Sequence, residues 1–175
     1  MNLLEQVEGS EFIGRDFLVW LWFKSETNDG IIELEEVGFA EIVLEGKLTL
    51  ETEGADYTES ITCSGSIPLL KEARFALTQN KKPTLAGIRL IMGDDEFLFS
   101  LDSRWMNYKA LKTPRIMEDY KDDPDGLFYE KFGLIEKAVS MMDSVFIHFI
   151  KLRLSETWTE RESPDLMNWI NKGKE

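Results

Sequence analysis

The chain has 175 residues, 43% hydrophobic and 30% charged, a balance that supports a packed core rather than disorder. Thirty-three acids against twenty Lys and Arg give a net charge of −13, which argues against indiscriminate binding to nucleic acid or anionic membrane. The longest apolar run, residues 17–23, is far shorter than the about 20 residues of a membrane span, and the single cysteine, Cys63, excludes an internal disulfide and any multi-cysteine metal site.

Met1-Asn2-Leu3-Leu4-Glu5 has neither the basic start nor the apolar stretch of a signal peptide, so a reduced cytoplasmic setting is expected. Residues 15–25 read as a helix that is apolar nearly all round. Within it Trp20, Trp22 and Phe23 point about 100° apart per residue, more directions than one small domain is expected to cover. These three are therefore assigned to a subunit interface as well as to the core. Asn28-Asp29-Gly30 makes a turn.

From residue 31 to 62 the period becomes two. Residues 39–44 and 47–51 are expected to form a hairpin around Glu45-Gly46, and residues 57–63 a third antiparallel strand. A helix is expected over 69–79, capped at its C-terminus by Asn80. Residues 85–92 and 96–101 follow as strands joined at Gly93-Asp94-Asp95, and then a basic segment, 104–115, ended by Pro114. After a loop at 121–126, residues 127–154 form the longest helix, with Phe128, Phe132, Ile135, Val139, Met142, Phe146, Phe149 and Leu152 on its apolar face. A short helix starts at Ser163-Pro164 with Ser163 as N-cap. One α+β domain over residues 1–175 is expected, its antiparallel sheet covered by the N-terminal apolar helix and the long C-terminal helix.

Charge is segregated along this chain. Residues 64–116 hold nine basic and five acidic side chains, a net of +4, between an acidic helix-and-meander region (1–63, net −12) and an acidic helical region (117–175, net −5). Screening cuts off distant charge within about 10 Å, so such an island can attract a polyanion that the whole molecule repels. Its candidate contacts are Lys81, Lys82, Arg89, Lys109, Lys112 and Arg115.

No catalytic motif stands beside the island. His148 is the only histidine and sits among helical aromatics, in a structural setting. Lys121-Asp122-Asp123-Pro124-Asp125-Gly126 lacks the acids that an EF-hand loop needs at its first and last positions. Asp94-Asp95-Glu96 reads as a solvated turn, with a divalent ion as the alternative. Glu45-Gly46-Lys47 has the Glu-x-Lys spacing of metal-dependent nucleases but sits at an expected turn. No enzyme, cofactor or metal is expected.

Glu72 opens a helix, Lys81 and Thr84 follow it, Phe97-Leu98-Phe99-Ser100-Leu101 forms a strand, and Lys109-Ala110-Leu111-Lys112 is a basic segment. An acidic loop and a long apolar helix from Leu127 come next. In order and spacing these features resemble the C-terminal part of the RdgC recombination-associated DNA-binding family. Asn80 stands where that family has Gly, Lys82-Pro83 replaces two apolar residues, and most of the family's N-terminal half has no counterpart. The resemblance implies non-catalytic, sequence-nonspecific binding of duplex DNA by a homodimer, with Lys81, Lys109 and Lys112 as backbone contacts. The rival expectation, carried by fifteen acids in residues 1–63, is an acidic module that recognises a basic protein or a second copy of itself.

Overall fold

A computed structural model describes residues 3–35, 37–52, 59–65, 71–116 and 123–172, with the side chains of 3–12 and 71 left aside. The chain runs α1 (Leu3–Thr27), β1 (Ile31–Leu34), β2 (Gly38–Thr52), β3 (Ser60–Gly65), α2 (Lys71–Thr78), β4 (Lys81–Met92), β5 (Asp95–Asp102), β6 (Asn107–Lys112), α3 (Pro124–Arg153) and α4 (Ser163–Asn171), with one π turn, Trp158–Glu162, before α4. The strands form one antiparallel sheet in the order β1-β2-β4-β5-β6, the α+β arrangement expected from the change of period. β4 lies along one side of β2, so β1 and β3 share its other side, one after the other.

One face of the sheet carries the core. Ala40, Ile42, Leu44, Leu48 and Leu50 of β2 alternate inward, as do Ala86, Ile88 and Leu90 of β4 and Phe97, Phe99 and Leu101 of β5. Against them lies α1, whose seven apolar residues Phe17 to Phe23 are all buried. A helix apolar on every side needs cover on every side. Phe17 and Trp20 meet Phe149 of α3 at centroid distances of 5.4 and 5.3 Å, and Trp22 and Phe23 meet Trp169 of α4 at 5.3 and 5.8 Å. The interface assignment of Trp20, Trp22 and Phe23 is thereby corrected. They are 1%, 0% and 6% exposed, because sheet, α3 and α4 of the same chain meet all their directions and leave no surface for a partner.

Three further expectations change and one is made specific. The hairpin at Glu45-Gly46 is a bulge inside a continuous β2: Leu44 pairs with Ile88 and Leu48 with Ala86, so two extra residues of β2 bow outward opposite Gly87. Gly46 takes a left-handed φ of +78° there, and a Cβ on Gly87 would lie 2.1 Å from the Glu45 carbonyl oxygen, so only glycine lets the bulge close on β4. β4 starts at Lys81 rather than at residue 85, since β2 reaches far enough to pair with it; Pro83 is tolerated because β5 ends before it. Residues 104–115, expected only as a basic segment, hold a turn and strand β6. Ser163 continues from the π turn in helical conformation without a capping hydrogen bond; the position before α4 is Glu162.

Asn80 does take the left-handed conformation after α2, with φ 62°, and Gly93 the turn between β4 and β5, with φ 63°. α3 begins at Pro124, where Asp123 Oδ1 accepts the Gly126 N–H at 2.9 Å. Its apolar face splits in two. From Ala138 onward Met141, Met142, Val145 and Phe149 are buried. Phe128, Phe132 and Ile135, expected on the core side, stay exposed, because the body ends at the β4–β5 turn, where Lys137 meets Asp95 at 2.5 Å. Residues 57–58, 69–70 and 121–122 of the expected strand, helix and loop lie outside the described residues.

Candidate nucleic-acid interface

The six cations of the basic island separate into two places. Lys81 and Lys82 lie at the start of β4, the first buried and the second half-buried. Lys81 is only 8% exposed and donates from Nζ to Thr52 Oγ1 (3.1 Å) and Glu59 Oε2 (2.5 Å). Lys82 Nζ reaches Asp16 Oδ1 of α1 at 2.9 Å, and the other oxygen of Asp16 takes Arg153 Nη2 of α3, also at 2.9 Å. These contacts line a cavity of about 490 Å³ with Trp158, Met167 and Ile170, in which both cations face one shared carboxylate. Lys81 is thereby corrected as a surface contact: burial and its ion pair with Glu59 leave its ammonium unavailable.

Arg89, Lys109 and Lys112 lie on the other face of the sheet, which carries no helix among the described residues. The reason is a bulge. Lys109 and Lys112 are three apart and would point to opposite faces of a regular strand. Ala110 adopts a left-handed φ of 55°, and the register shifts so that Lys109 pairs with Ser100 and Lys112 with Leu98, two apart on β5. Leu98 also pairs with Arg89 of β4. Arg89, Leu98 and Lys112 therefore form one row across three strands, with the two cations' backbones about 10 Å apart. Tyr108 and Leu111 turn to the core side, where Tyr108 packs on Phe99 at 5.3 Å and burial, with Asp143 nearby, pushes its phenol up to about 12.

On this face Arg89 Nε is 3.1 Å from Glu45 Oε2, and Lys109 Nζ is 2.7 Å from Asp102 Oδ2. Lys112 and Arg115 are exposed and have no ionic partner among the described residues. From Ser103 to Ile116 the chain carries four cations, Arg104, Lys109, Lys112 and Arg115, and no acid. β6 is an edge strand, where lysines also block edge-to-edge pairing.

Asp102 organises the β5–β6 turn. It is 3% exposed, and its Oδ1 accepts the Arg104 backbone N–H (3.1 Å) and Nε–H (3.4 Å) while Oδ2 accepts Lys109 Nζ. Burial would raise its pKa, but hydrogen bonds from Lys109 and Arg104, with the Arg104 charge, outweigh it and hold the carboxyl below its ordinary value. The stability it adds is therefore complete above the ordinary value of 3.8 and lost as pH falls through the lowered one. Asp102→Asn is expected to cost about 2 kcal/mol at pH 7 and much less near about pH 2.5. Urea midpoints of both proteins at the two pH values check this; a gap that does not narrow in acid refutes it.

The other motifs are absorbed by structure. Asp95 is paired with Lys137, and Glu96 lies 4.0 Å from Arg89; among the described residues no group of three or more His, Cys, Asp or Glu is placed to hold a metal ion. Glu45 of the Glu-x-Lys motif sits in the bulge against Arg89. His148 lies 6.1 Å from the Trp20 ring, and burial followed by Lys24 keeps it below its usual pKa, hence neutral at pH 7. Burial and then Glu72 raise the Cys63 thiol, the opposite of an activated nucleophile.

Two features escaped the sequence. Trp105 in the β5–β6 turn is exposed, and a Trp directly after an Arg in a short segment between two strands is the signal that marks it. Glu26 accepts from Trp22, Trp169 and Arg74, three elements at once, which no local pattern shows. No helix among the described residues is long and apolar enough to cross a membrane. The chain matches no family model, no curated protein and no solved structure.

Proposed function

We propose that this chain binds duplex DNA without catalysis and without sequence preference, through phosphate contacts from the β4–β6 face. The observation that carries the reading is the arrangement of Arg89, Lys109 and Lys112 in neighbouring rows of one helix-free face, continued by Arg104 and Arg115 in an acid-free stretch. Phosphates are recognised by charge at fixed spacing rather than by base chemistry, and a rigid sheet supplies fixed spacing. The RdgC-like order of the same elements points the same way and adds a homodimer, which light scattering would count.

Four phosphates neutralised by Arg104, Lys109, Lys112 and Arg115 would give a slope of about −3.6 for log affinity against log salt on duplex DNA. Filter binding of a 20-base-pair duplex from about 50 to 200 mM salt measures it. Retention that is absent at the lowest salt, or that ignores salt, sinks the proposal.

A second reading rests on the opposite end of the sheet, where β1 and β2 carry Glu33, Glu41, Glu45 and Glu51. This end suits a basic protein, or the basic edge of a second copy. A salt-sensitive oligomer that excludes DNA selects it; DNA retained by a salt-stable species selects the first.

A further inference from the structure

We propose that Trp105 is a stacking platform for unpaired bases, so that the interface takes single-stranded nucleic acid in a way that duplex cannot use. This rests on the nucleic-acid reading above and adds to it a second mode of contact.

Of the five tryptophans, Trp20, Trp22 and Trp169 are buried, and Trp158 is half-buried beneath Arg153, whose guanidinium lies 5.1 Å from its ring centroid. Trp105 alone is exposed, at 59%, and it stands in the turn that joins β5 to β6. Exposed indole is uncommon on a surface unless it meets something.

The turn that holds it is fastened from several sides. Asp102 grips Arg104 and Lys109; Ser103 donates from its backbone N–H to the Thr84 carbonyl at 2.9 Å and from Oγ to Pro83 and Thr84 carbonyls at 3.2 and 3.3 Å. α1 presses against the same point, since a Cβ on Gly14 would lie 2.0 Å from the Ser103 carbonyl oxygen. The backbone that bears the ring is thus positioned before any ligand arrives, which lowers the ordering cost of binding.

Charge selects the occupant. Both cations gripped by Asp102 have exposed side chains, and Lys112 and Arg115 follow without ionic partners among the described residues. An exposed ring in a turn that also carries Arg104, with Lys109 and Lys112 along β6, is the combination that single-strand binders use: the cations follow the phosphates, and the ring stacks on a base of any identity. Bases inside a duplex are already stacked on each other and do not offer a face. The gain from Trp105 therefore goes to single strands and frayed ends.

The test compares wild type, Trp105→Ala and Trp105→Phe on two probes, a 20-nucleotide oligothymidylate and a blunt 20-base-pair duplex, by fluorescence anisotropy. Trp105→Ala should weaken the oligothymidylate about tenfold and leave duplex affinity and its salt slope unchanged, while Trp105→Phe keeps most of the single-strand affinity. Intrinsic tryptophan fluorescence should be quenched by oligothymidylate in wild type and not in Trp105→Ala, a change that a ring serving only the fold would not produce. Equal loss on both probes, no loss on either, or quenching that survives in Trp105→Ala overturns the proposal. If wild type binds duplex but not oligothymidylate, this inference alone falls. If it binds neither, the nucleic-acid reading falls with it.

Discussion

Combining Lys109→Gln, Lys112→Glu and Arg115→Glu is expected to abolish duplex retention at about 50 mM salt, a loss of at least about 100-fold. The three positions supply most of the cationic edge, and of them only Lys109 also serves the fold, through Asp102. Lys112 and Arg115 have exposed side chains with no ionic partner among the described residues, so reversal there breaks nothing. Lys109 is changed to Gln because a glutamate would set a like charge against Asp102. The control is Lys131→Glu on α3, an equally exposed lysine far along the chain from the sheet. It shifts net charge by the same two units as one reversal on β6 and should move affinity less than about twofold. Equal losses from the control and from Lys112→Glu alone would mean that only overall charge matters, and the local interface would be wrong. Lys81→Gln makes the opposite contrast. It should lower the unfolding midpoint, because Glu59 and Thr52 lose their partner, while leaving DNA affinity nearly unchanged.

Replacing Glu26 by Ala is expected to cost about 3–4 kcal/mol out of a total of about 5–15. Glu26 ends α1 and is 18% exposed. Its Oε1 accepts the Trp22 indole N–H at 2.7 Å, and its Oε2 accepts the Trp169 indole N–H at 2.9 Å and a nitrogen of Arg74. Arg74 in turn lies over the Trp169 ring, 5.3 Å from its centroid. One carboxylate thus joins α1, α2 and α4, and its removal strands two indole donors and a half-buried guanidinium. Glu26→Gln keeps an acceptor but loses the charge facing Arg74, so roughly half the cost is expected. Equilibrium urea unfolding measures both. A Glu26→Ala cost below about 1 kcal/mol would show that aromatic packing alone ties these helices.

Lys24, two residues earlier, shows the same principle at lower stakes. Its ammonium meets Glu162 of the π turn at 2.5 Å and lies 5.2 Å from the centre of the Phe23 ring. Together with Asp16 and Glu26 it ties the described part of α1 to neighbouring elements.

Much of the architecture was legible because it is local. Alternation in β2, β4 and β5 marks strands whatever they pair with, Gly93-Asp94 turns because glycine accepts positive φ, and Asn80 ends α2 for the same reason. The all-apolar run of α1 marked a buried helix, although its cover comes from α3 and α4 of the same chain and not from a partner.

Pairing was not legible, and pairing decided the rest. Glu45-Gly46 has the composition of a hairpin turn, yet the partner that β4 offers on one side keeps β2 running through it as a bulge. Lys109 and Lys112 share a face only because Ala110 bulges against β5, a fact of register that spacing along the chain does not show. Equal lysines met unequal fates: Lys81 is buried against Glu59, while Lys112 has no ionic partner among the described residues, since the carboxylate that neutralises a cation comes from a distant stretch of chain. Composition and period determine which elements form and where charge is concentrated, because those preferences act within a few residues. Only the tertiary structure decides which cations face solvent and which aromatics are covered, because both depend on contacts between segments far apart in sequence.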